Sequence, residues 1–351
     1  MMKKIAIIFG LIAVACHKIE PIEVIAPQRD INTEALQKYK SQTELEKRNI
    51  AMGMLYNWGK ESGAVLMNTP DSLDVIVIKS GYENISETLK NDLQSVQQKK
   101  ATKVLVGISF EAAHKAYEAE KEQTISTQIA EKQEEWKLSN ERLTDEEKKE
   151  TLKKIEQEIV ENLANTAVEK MKKQTAKLLN IVKSNGFDGI SVEFPQNLNE
   201  AYSAENFDSL LAEITKEAGK GKKLLLAVEN PYGERGDTQD VKPIDSANWI
   251  VYRKTGKQLL KNFDEQAEKW AKFRYLPSVD FSEEDLADGF ADSQRFAPGG
   301  RLNRLIDVIN WQSNNKGGVA YYHIEKNYYD KSGNVTFKTL RNAIGKLQSQ
   351  K

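Results

Sequence analysis

Eight short apolar segments separated by helical patterns constrain the fold of this 351-residue chain more than any other feature. Clear examples are LDVIVIKS and TKVLVGISF, which are continuous apolar runs rather than alternating ones. Runs of this kind between helices are typical of parallel strands that are buried on both faces. The predicted strands lie at 48–58, 73–80, 102–110, 187–194, 223–231, 249–254, 272–281 and 317–325.

The segments between these strands have the pattern of helices. Residues 84–99 and 299–312 carry an apolar stripe at helical spacing, and residues 203–221 begin at Ser203, a capping type, and end in glycines. Eight strands with intervening helices in about 300 residues predict an α/β fold, the (β/α)8 or TIM barrel. The alternative is an open doubly wound sheet, but no Gly-rich phosphate loop follows the first strand.

A long Glu/Lys/Gln-rich stretch at 111–183 lies between strands three and four. Within it Thr144, with Glu147 three residues later, forms a capping-box pattern that predicts the start of a helix. We interpret the stretch as a helical insertion whose last part is the barrel helix before strand four. A partner-binding coiled coil is the alternative, although the heptad pattern is not sustained.

The amino terminus has the pattern of a bacterial export signal. Basic residues at Met1–Lys4 precede the apolar run Ile5–Ala15, which is too short to span a bilayer and has the length of a signal-peptide core. The sequence AVAC resembles a lipobox, and Cys16 is the only cysteine of the chain. We predict cleavage before Cys16 and lipidation of its thiol. An ordinary signal peptide followed by an incidental cysteine is the alternative.

These patterns predict three regions along the chain. Residues 1–15 form the signal peptide, 16–32 the lipidated cysteine with an irregular tether, and 33–351 the barrel with its insertion at 111–183. The expected location is the outer membrane, with the protein lipid-anchored and exposed at the cell surface.

Composition excludes several classes of function. A formal net charge of -1 argues against a nucleic-acid binder, which would carry a basic excess. Three histidines and one cysteine make a metal site improbable. The sequence contains no serine nucleophile elbow, P-loop or dinucleotide fingerprint, so we expect no cofactor.

The fourth predicted strand contains GFDGISVEFP, which resembles the motif of glycoside hydrolase family 18, the chitinases and endo-β-N-acetylglucosaminidases. That family carries D-G-x-D-x-D-x-E on strand four of a (β/α)8 barrel. Asp188 and Gly189 match the motif, Ser191 and Glu193 stand at its second and third aspartates, and Pro195 stands at its final glutamate. Because alternate strand residues share a face, we predict that Asp188, Ser191, Glu193 and Pro195 point into the barrel.

The departure at Pro195 bears directly on catalysis. In the family mechanism the final glutamate protonates the leaving oxygen while the acetamide of the substrate attacks, and proline has no proton to donate. Glu193 lies one inward position deeper, roughly 6 to 7 Å away, whereas a donor must approach to about 3 Å. The resemblance therefore implies a barrel with no catalytic residue.

Two further segments resemble the family. In GGVAYYHIE, Tyr322 stands where a tryptophan usually forms the floor of the sugar site. In WIVYRK, Tyr252 lies near the functional tyrosine of the family, and Arg253 replaces an aspartate. The region from about 48 to 349 fits such a barrel. It is similar to the family-18-like lipoproteins of Bacteroidetes glycan-utilisation systems, which include endoglycosidases and non-catalytic surface glycan-binding proteins.

Sites on barrels of this class lie at the carboxyl ends of the strands, and sugars are bound there by aromatic faces and a few polar groups. His323 lies at such an end and could serve as an acid or base, but we expect it to be a packing residue. The predicted glycan contacts are Tyr56, Trp58, Glu193, Glu229, Asn230, Tyr252, Asp280 and Tyr322.

The function predicted from the sequence is a catalytically inactive surface lipoprotein that binds N-acetylglucosamine-containing oligosaccharides of the N-glycan type. One alternative is an active endo-β-N-acetylglucosaminidase that uses Glu229, Asp280 or Glu325 as its acid. Another is an adaptor subunit of a glycan-uptake complex with 111–183 as its contact surface. Outer-membrane glycan-uptake proteins are candidate partners, nucleic acid is not, and the membrane is contacted by the lipid anchor alone.

Overall fold

Eight parallel strands close into a barrel in the computed structural model, which describes residues 31–139, 143–231, 242–253, 260–270, 274–282, 304–329 and 335–350. Each strand pairs in parallel with the next, and the last pairs with the first. The closed sheet confirms the predicted (β/α)8 barrel and excludes the open sheet. The strands are β1 (Ile50–Leu55), β2 (Val75–Ile78), β3 (Lys103–Ser109), β4 (Gly189–Glu193), β5 (Leu225–Glu229), β6 (Trp249–Tyr252), β7 (Tyr275–Asp280) and β8 (Gly318–Tyr322).

Helices follow most of these strands within the described residues. Short 3-10 helices at Ser62–Ala64, Leu66–Asn68, Pro243–Ser246 and Ile324–Asn327 lie in the connections. The α-helices are α1 (Thr33–Tyr39), α2 (Gln42–Leu45), α3 (Glu87–Lys100), α4 (Glu111–Leu138), α5 (Asp145–Asn185), α6 (Ala204–Ile214), α7 (Leu260–Ala267), α8 (Arg304–Asn310) and α9 (Lys338–Ser349).

Two apolar layers explain why the strand sequences are continuous rather than alternating. Along β2, Val75 and Val77 pack inside the barrel, whereas Ile76 and Ile78 pack outward against the helices. Successive side chains of a strand point to opposite faces, and both faces of this sheet are covered. The same alternation continues beyond the last apolar residue of each strand. It therefore decides which side chains at the carboxyl ends of the strands point into the barrel.

Local capping sets where several helices begin. Ser86 accepts a hydrogen bond from the Leu89 amide at the start of α3. Thr144 and Glu147 form the predicted capping box at the start of α5. Each cap satisfies amides that have no partner inside the helix.

The predicted insertion consists of two antiparallel helices, α4 and α5. At about 1.5 Å per residue, the 28 residues of α4 extend roughly 42 Å and the 41 residues of α5 roughly 61 Å. Most buried residues of α5 lie from Met171 onward, and this helix contacts β3 and β4. We call residues 111–138 and 145–170 the arm. It begins where β3 ends, and α4 has buried residues only near its start, so the arm extends away from the carboxyl ends of the strands.

The opposite end of the barrel is closed by α1 and α2. Leu45 enters the apolar interior of the barrel. The Lys40 ammonium donates hydrogen bonds to the carbonyl oxygens of Asp71, Leu73 and Lys100, at 2.6 to 3.0 Å, and to the Thr102 hydroxyl. These acceptors directly precede β2 and β3, so Lys40 ties the amino-terminal helices to the barrel.

Every helix within the described residues is too short or too polar to cross a membrane. The predicted signal peptide and Cys16 lie outside the residues that the structure describes.

Candidate functional site at the barrel mouth

Charged side chains from five strands converge at the carboxyl ends of the barrel strands. These side chains occupy the inward-facing positions at the carboxyl ends of β2, β4, β5, β6 and β7. Each is the next inward position after the apolar interior of the barrel. We call these residues, Lys79, Glu193, Glu229, Arg253 and Asp280, the mouth network.

Lys79 lies at the centre of the mouth network. Its ammonium is 2.9 Å from Glu193 Oε2 and 2.9 Å from both carboxylate oxygens of Glu229, and its side chain is 3% exposed. Gly107 on the neighbouring strand makes room for it, because a Cβ there would lie 2.9 Å from the Lys79 Cδ. The glycine therefore allows the lysine to extend across the mouth.

Arg253 continues the network toward β7. Its guanidinium donates to Glu193 Oε1 at 3.0 Å and to Asp280 Oδ2 at 3.2 Å. Carboxylates and cations thus alternate across the mouth, from Glu229 through Lys79, Glu193 and Arg253 to Asp280. Pairing of this kind is what permits charges to be buried, since an unpaired charge would be strongly destabilising there.

The network controls the protonation of Glu193. Burial alone would raise the pKa of this carboxyl, but Lys79 and Arg253 outweigh burial and lower the pKa to about 2. Burial alone would lower the pKa of Lys79, yet Glu193 and Glu229 hold it above its usual value. At neutral pH Glu193 is therefore a carboxylate with no proton to give, which is the wrong state for a general acid.

Glu229 is fully buried and receives two hydroxyl donors in addition to Lys79. Ser191 Oγ donates to its Oε1 at 2.6 Å, and the Tyr322 hydroxyl donates to its Oε2 at 2.5 Å. Ser191, at the second aspartate position of the motif, thus serves as a neutral donor to a neighbouring carboxylate. Hydrogen bonds to an ionised acceptor are about twice as strong as neutral ones.

Tyr56 and His323 form the rim of the mouth where β1 meets β8. Their rings are stacked, with centroids 3.9 Å apart and planes 12° apart. His323 Nδ1 lies 2.7 Å from Asp280 Oδ1. Burial alone would raise the pKa of Asp280, but hydrogen bonds from His323 and Ser282 hold it below its usual value.

Three residues that end strands at this face have left-handed backbone conformations. These are Asn57 after β1, Asn230 after β5 and His323 after β8, with φ of 54°, 52° and 51°. Asparagine and histidine are among the residues that tolerate this region. Such backbone conformations cluster at functional sites because the surrounding structure must hold them in place.

Several predicted contacts lie at the mouth and others do not. The inward orientation of Ser191 and Glu193 is confirmed, and Tyr56, Glu229 and Asp280 also point into the mouth.

The inward orientation predicted for Asp188 is wrong. Its carboxylate accepts hydrogen bonds from the Val104 amide at 2.8 Å and from Gln97 of α3 at 2.8 Å. Asp188 is three residues before Ser191, so the pleat turns it toward the helices at the opposite end of the strand. Asp188 therefore joins β4 to α3 rather than contributing to the mouth.

Trp58 belongs to the core. It is 1% exposed, its indole donates to Asp92 at 2.9 Å, and its ring lies edge-on to Phe187 with centroids 6.0 Å apart. Both the burial and the position between sheet and helix exclude a ring face open to a sugar, so the structure contradicts its assignment as a stacking residue.

The two predicted tyrosines of β6 and β8 are also placed differently. Tyr252 points outward and packs against the layer between sheet and helices, with its ring 6.5 Å from that of Tyr275. Tyr322 does point inward, but its ring is fully buried beneath the Arg253 guanidinium, 4.6 Å from the ring centroid. Neither ring is available as the floor of a sugar site.

Asn230 and Pro195 are both buried. Asn230 is 8% exposed, and its side-chain oxygen accepts a hydrogen bond from the Arg253 amide at 2.8 Å, so it positions the arginine. Pro195 is buried two residues beyond the end of β4. No carboxylate can come from that position.

Lys79 is the functional residue that sequence reasoning missed. The available signal was a cation directly after the continuous apolar run VIVI, where the next inward position of a buried strand must lie inside the barrel mouth. Within the described residues there is no cluster of three or more histidine, cysteine or acidic side chains that could hold a metal ion.

A closed (β/α)8 barrel with polar side chains converging at the carboxyl ends of its strands places this chain among the TIM-barrel proteins. A model of glycoside hydrolase family 18, BT1044-like, matches residues 18–138. The resemblance to family 18 is thereby confirmed over roughly a third of the chain. No curated protein matches the sequence.

Two solved structures superpose on most of this chain. A selenomethionine form of BT1044, with one glutamate replaced by glutamine, superposes with a TM-score of 0.55 and 14% identity over 90% of this chain and 94% of that one. A chitinase from Bacteroides thetaiotaomicron gives a TM-score of 0.49 and 11% identity over 87% and 97% of the two chains. At these identities, the similarity to BT1044 shows the shared fold.

Proposed function

We propose that this protein is a catalytically inactive, family-18-like barrel that binds N-acetylglucosamine-containing glycans at the mouth of the barrel. The observation that carries the proposal is the environment of Glu193. This carboxylate is the one acid that the β4 motif directs into the mouth, and two cations hold it in the ionised form.

Two features together argue against hydrolysis by the family mechanism. Pro195 stands at the position of the proton donor, and Glu193 has a pKa of about 2. A general acid near neutral pH needs a raised pKa, as in glycosidases that use a carboxylic acid. Removing an acid catalyst reduces the rate by about 10² to 10⁴, whereas binding of the ground state does not require a proton donor.

The ligand class is supported by the resemblance and by the rim. The BT1044-like family model and the Asp188–Gly189 match point to a glycan. Tyr56 is the half-buried aromatic ring that stands beside the network, and rings in such a position bind the apolar faces of sugars. We infer that a glycan contacts Tyr56 and hydrogen-bonds to the outer oxygens of the network.

Surface anchoring is part of the same proposal. The apolar run before Cys16 and the lipobox-like AVAC support export and lipidation in a bacterium, with the barrel displayed outside the outer membrane. Mass spectrometry of the mature amino terminus is the direct test. An unmodified Cys16 on protein recovered from the medium would contradict it.

The binding proposal is tested by calorimetry with N-glycans and with their N-acetylglucosamine-containing fragments. We expect dissociation constants in the micromolar range or weaker, about -8 kcal/mol or less favourable, and no released sugar by mass analysis. Tyr56→Ala should weaken binding about tenfold, while Tyr252→Ala, on the outward face of β6, is the matched control. Glycan release that disappears in Glu193→Gln would overturn the inactive assignment.

A hydrolytic alternative rests on Glu325. Burial raises the pKa of this carboxyl, which favours the protonated form that an acid catalyst needs. Its Oε2 accepts a hydrogen bond from the Tyr56 amide at 3.2 Å, which ties it to the backbone of the rim. Glycan release abolished by Glu325→Gln and retained in Glu193→Gln would establish this alternative.

A further inference from the structure

A cavity of about 900 Å³ opens between α4 and α5 near the outer end of the arm. Trp136 and Leu152 line it, and each is half-buried. From Glu111 to Trp136 the helix rises roughly 38 Å, so the cavity lies far from the mouth network. Its volume is in the range of sites that bind small molecules, about 300 to 1,000 Å³.

The residues between the two helices of the arm change along its length. Closer to the barrel the arm has branched apolar residues that are removed from solvent, since Ile129 is half-buried and Ile159 is 6% exposed. Contacts of this type are sufficient to hold two antiparallel helices together. Near the outer end an indole takes their place and remains partly open to the cavity.

The charged lining is mainly basic. Lys137 is paired with Glu134 at 2.6 Å. Within the described residues, no carboxylate lies within 4 Å of the ammonium groups of the other three lysines. The lining contains four lysines against two acids: Lys137, Lys148, Lys149, Lys153, Asp145 and Glu156.

We propose that this cavity binds a short anionic oligosaccharide, one that carries carboxylate or sulfate groups. The indole face of Trp136 suits the C–H face of a sugar ring, and the lysines suit its anionic substituents. This site is separate from the mouth and does not depend on the function proposed for it.

An anionic lipid surface is a poorer match to the same features. Exposed acids, including Glu146, Glu147 and Glu150, begin α5 beside the cavity. They would be repelled by an anionic bilayer, whereas a discrete ligand contacts only the cavity lining. The helices of the arm also lack the broad apolar face that interfacial helices bury.

The arm contains its own reporter of binding. Trp136 is the half-exposed one of the five tryptophans, and the others are buried in the barrel: Trp58, Trp249, Trp270 and Trp311. Titration of the full-length chain with a chondroitin sulfate tetrasaccharide should therefore change the tryptophan fluorescence. A neutral N-acetylglucosamine tetramer should leave the Trp136 signal unchanged.

Matched variants distinguish binding in the cavity from a general effect of the charge of the arm. Lys149→Gln with Lys153→Gln should weaken binding of the tetrasaccharide about tenfold and reduce its salt dependence. Lys170→Gln with Lys173→Gln, two exposed lysines of the same helix outside the cavity, should have no effect. Trp136→Phe should abolish the fluorescence change while calorimetry still detects binding, and circular dichroism verifies that the arm remains helical.

Three results would overturn the proposal. One is an equal change of the Trp136 fluorescence with the neutral and the sulfated tetrasaccharides, since binding of the neutral one at the mouth leaves Trp136 unaffected. Another is equal weakening by the two lysine pairs, which would indicate a diffuse charge effect. The third is binding to anionic phospholipid vesicles that depends on Trp136 in the absence of any binding to the tetrasaccharide.

Discussion

Both ends of the barrel bury lysines, but they bury them in opposite ways. At the mouth, Lys79 is surrounded by the carboxylates of Glu193 and Glu229. At the amino-terminal end, Lys40 is surrounded by three backbone carbonyls and one hydroxyl. Lys316 lies in a similar environment, since its ammonium donates to three carbonyls at the end of α8.

The difference appears in the pKa values. Burial lowers the pKa of Lys40 to about 8 and that of Lys316 to about 7, because carbonyls compensate less than a full charge would. At the mouth, the two carboxylates raise the pKa of Lys79. The lysines of the amino-terminal end fasten main-chain segments together. The mouth instead holds side-chain charges whose partners a polar ligand could replace.

The largest effect is expected from breaking the mouth network at its centre. Lys79→Met leaves two buried carboxylates without their shared cation and should lower the free energy of unfolding by about 3 to 5 kcal/mol. Denaturant unfolding measures the change. Adding Glu229→Gln to the variant should restore part of the stability, and a neutral effect of Lys79→Met alone would contradict the ion-pair description.

The free energy of unfolding at acid pH should reveal the same network. Because the pKa of Glu193 is lowered from 4.5 to about 2, its contribution is fully present above pH 4.5 and is lost as the pH falls through 2. A shift of this size corresponds to about 3 kcal/mol. Glu193→Gln should flatten the stability profile between pH 4.5 and 2, whereas Glu87→Gln, exposed on α3, should not.

The dependence of the free energy of unfolding on pH in the alkaline range should distinguish the two ends of the barrel. The pKa of Lys40 is lowered from 10.5 to about 8, so the unfolded chain binds more protons between these values and stability should rise with pH across that window. Lys79, with a raised pKa, contributes stability below pH 10.5 that is lost above it. Lys316, with its pKa lowered to about 7, contributes a rise of its own, so Lys40→Met should reduce the rise by up to about 3 kcal/mol without abolishing it. Lys38→Met, exposed on α1, should retain the full rise.

A smaller effect is expected from a single hydroxyl of the mouth. Tyr322→Phe keeps the buried ring but removes a donor to the Glu229 carboxylate, which should cost about 2 kcal/mol. Unfolding of the variant measures this loss. If Tyr322→Phe changes stability by less than Tyr329→Phe, whose side chain is 73% exposed, then the hydrogen bond at 2.5 Å contributes nothing.

Much of the fold could be predicted from local sequence. Each of the eight predicted segments contains one strand of the barrel, and the Thr144–Glu147 capping box begins α5 as expected. These predictions succeeded because a strand buried on both faces must be apolar throughout and because capping is decided within four residues.

The candidate site was only partly predictable. The inward positions of Ser191, Glu193, Glu229 and Asp280 follow from the pleat once the strand is correctly counted. Asp188 was misassigned, because residues an odd number apart on a strand lie on opposite faces.

The sequence by itself determined the barrel, the arm and the presence of a proline rather than an acid at position 195, since each depends on residue type and spacing along one segment. The tertiary structure alone decided that Lys79 reaches Glu193 and Glu229, 114 and 150 residues away along the chain. It also decided that Tyr322 lies beneath Arg253 and that Trp58 belongs to the core. The physical reason is that charge pairing and burial depend on side chains that only the closure of the barrel brings together.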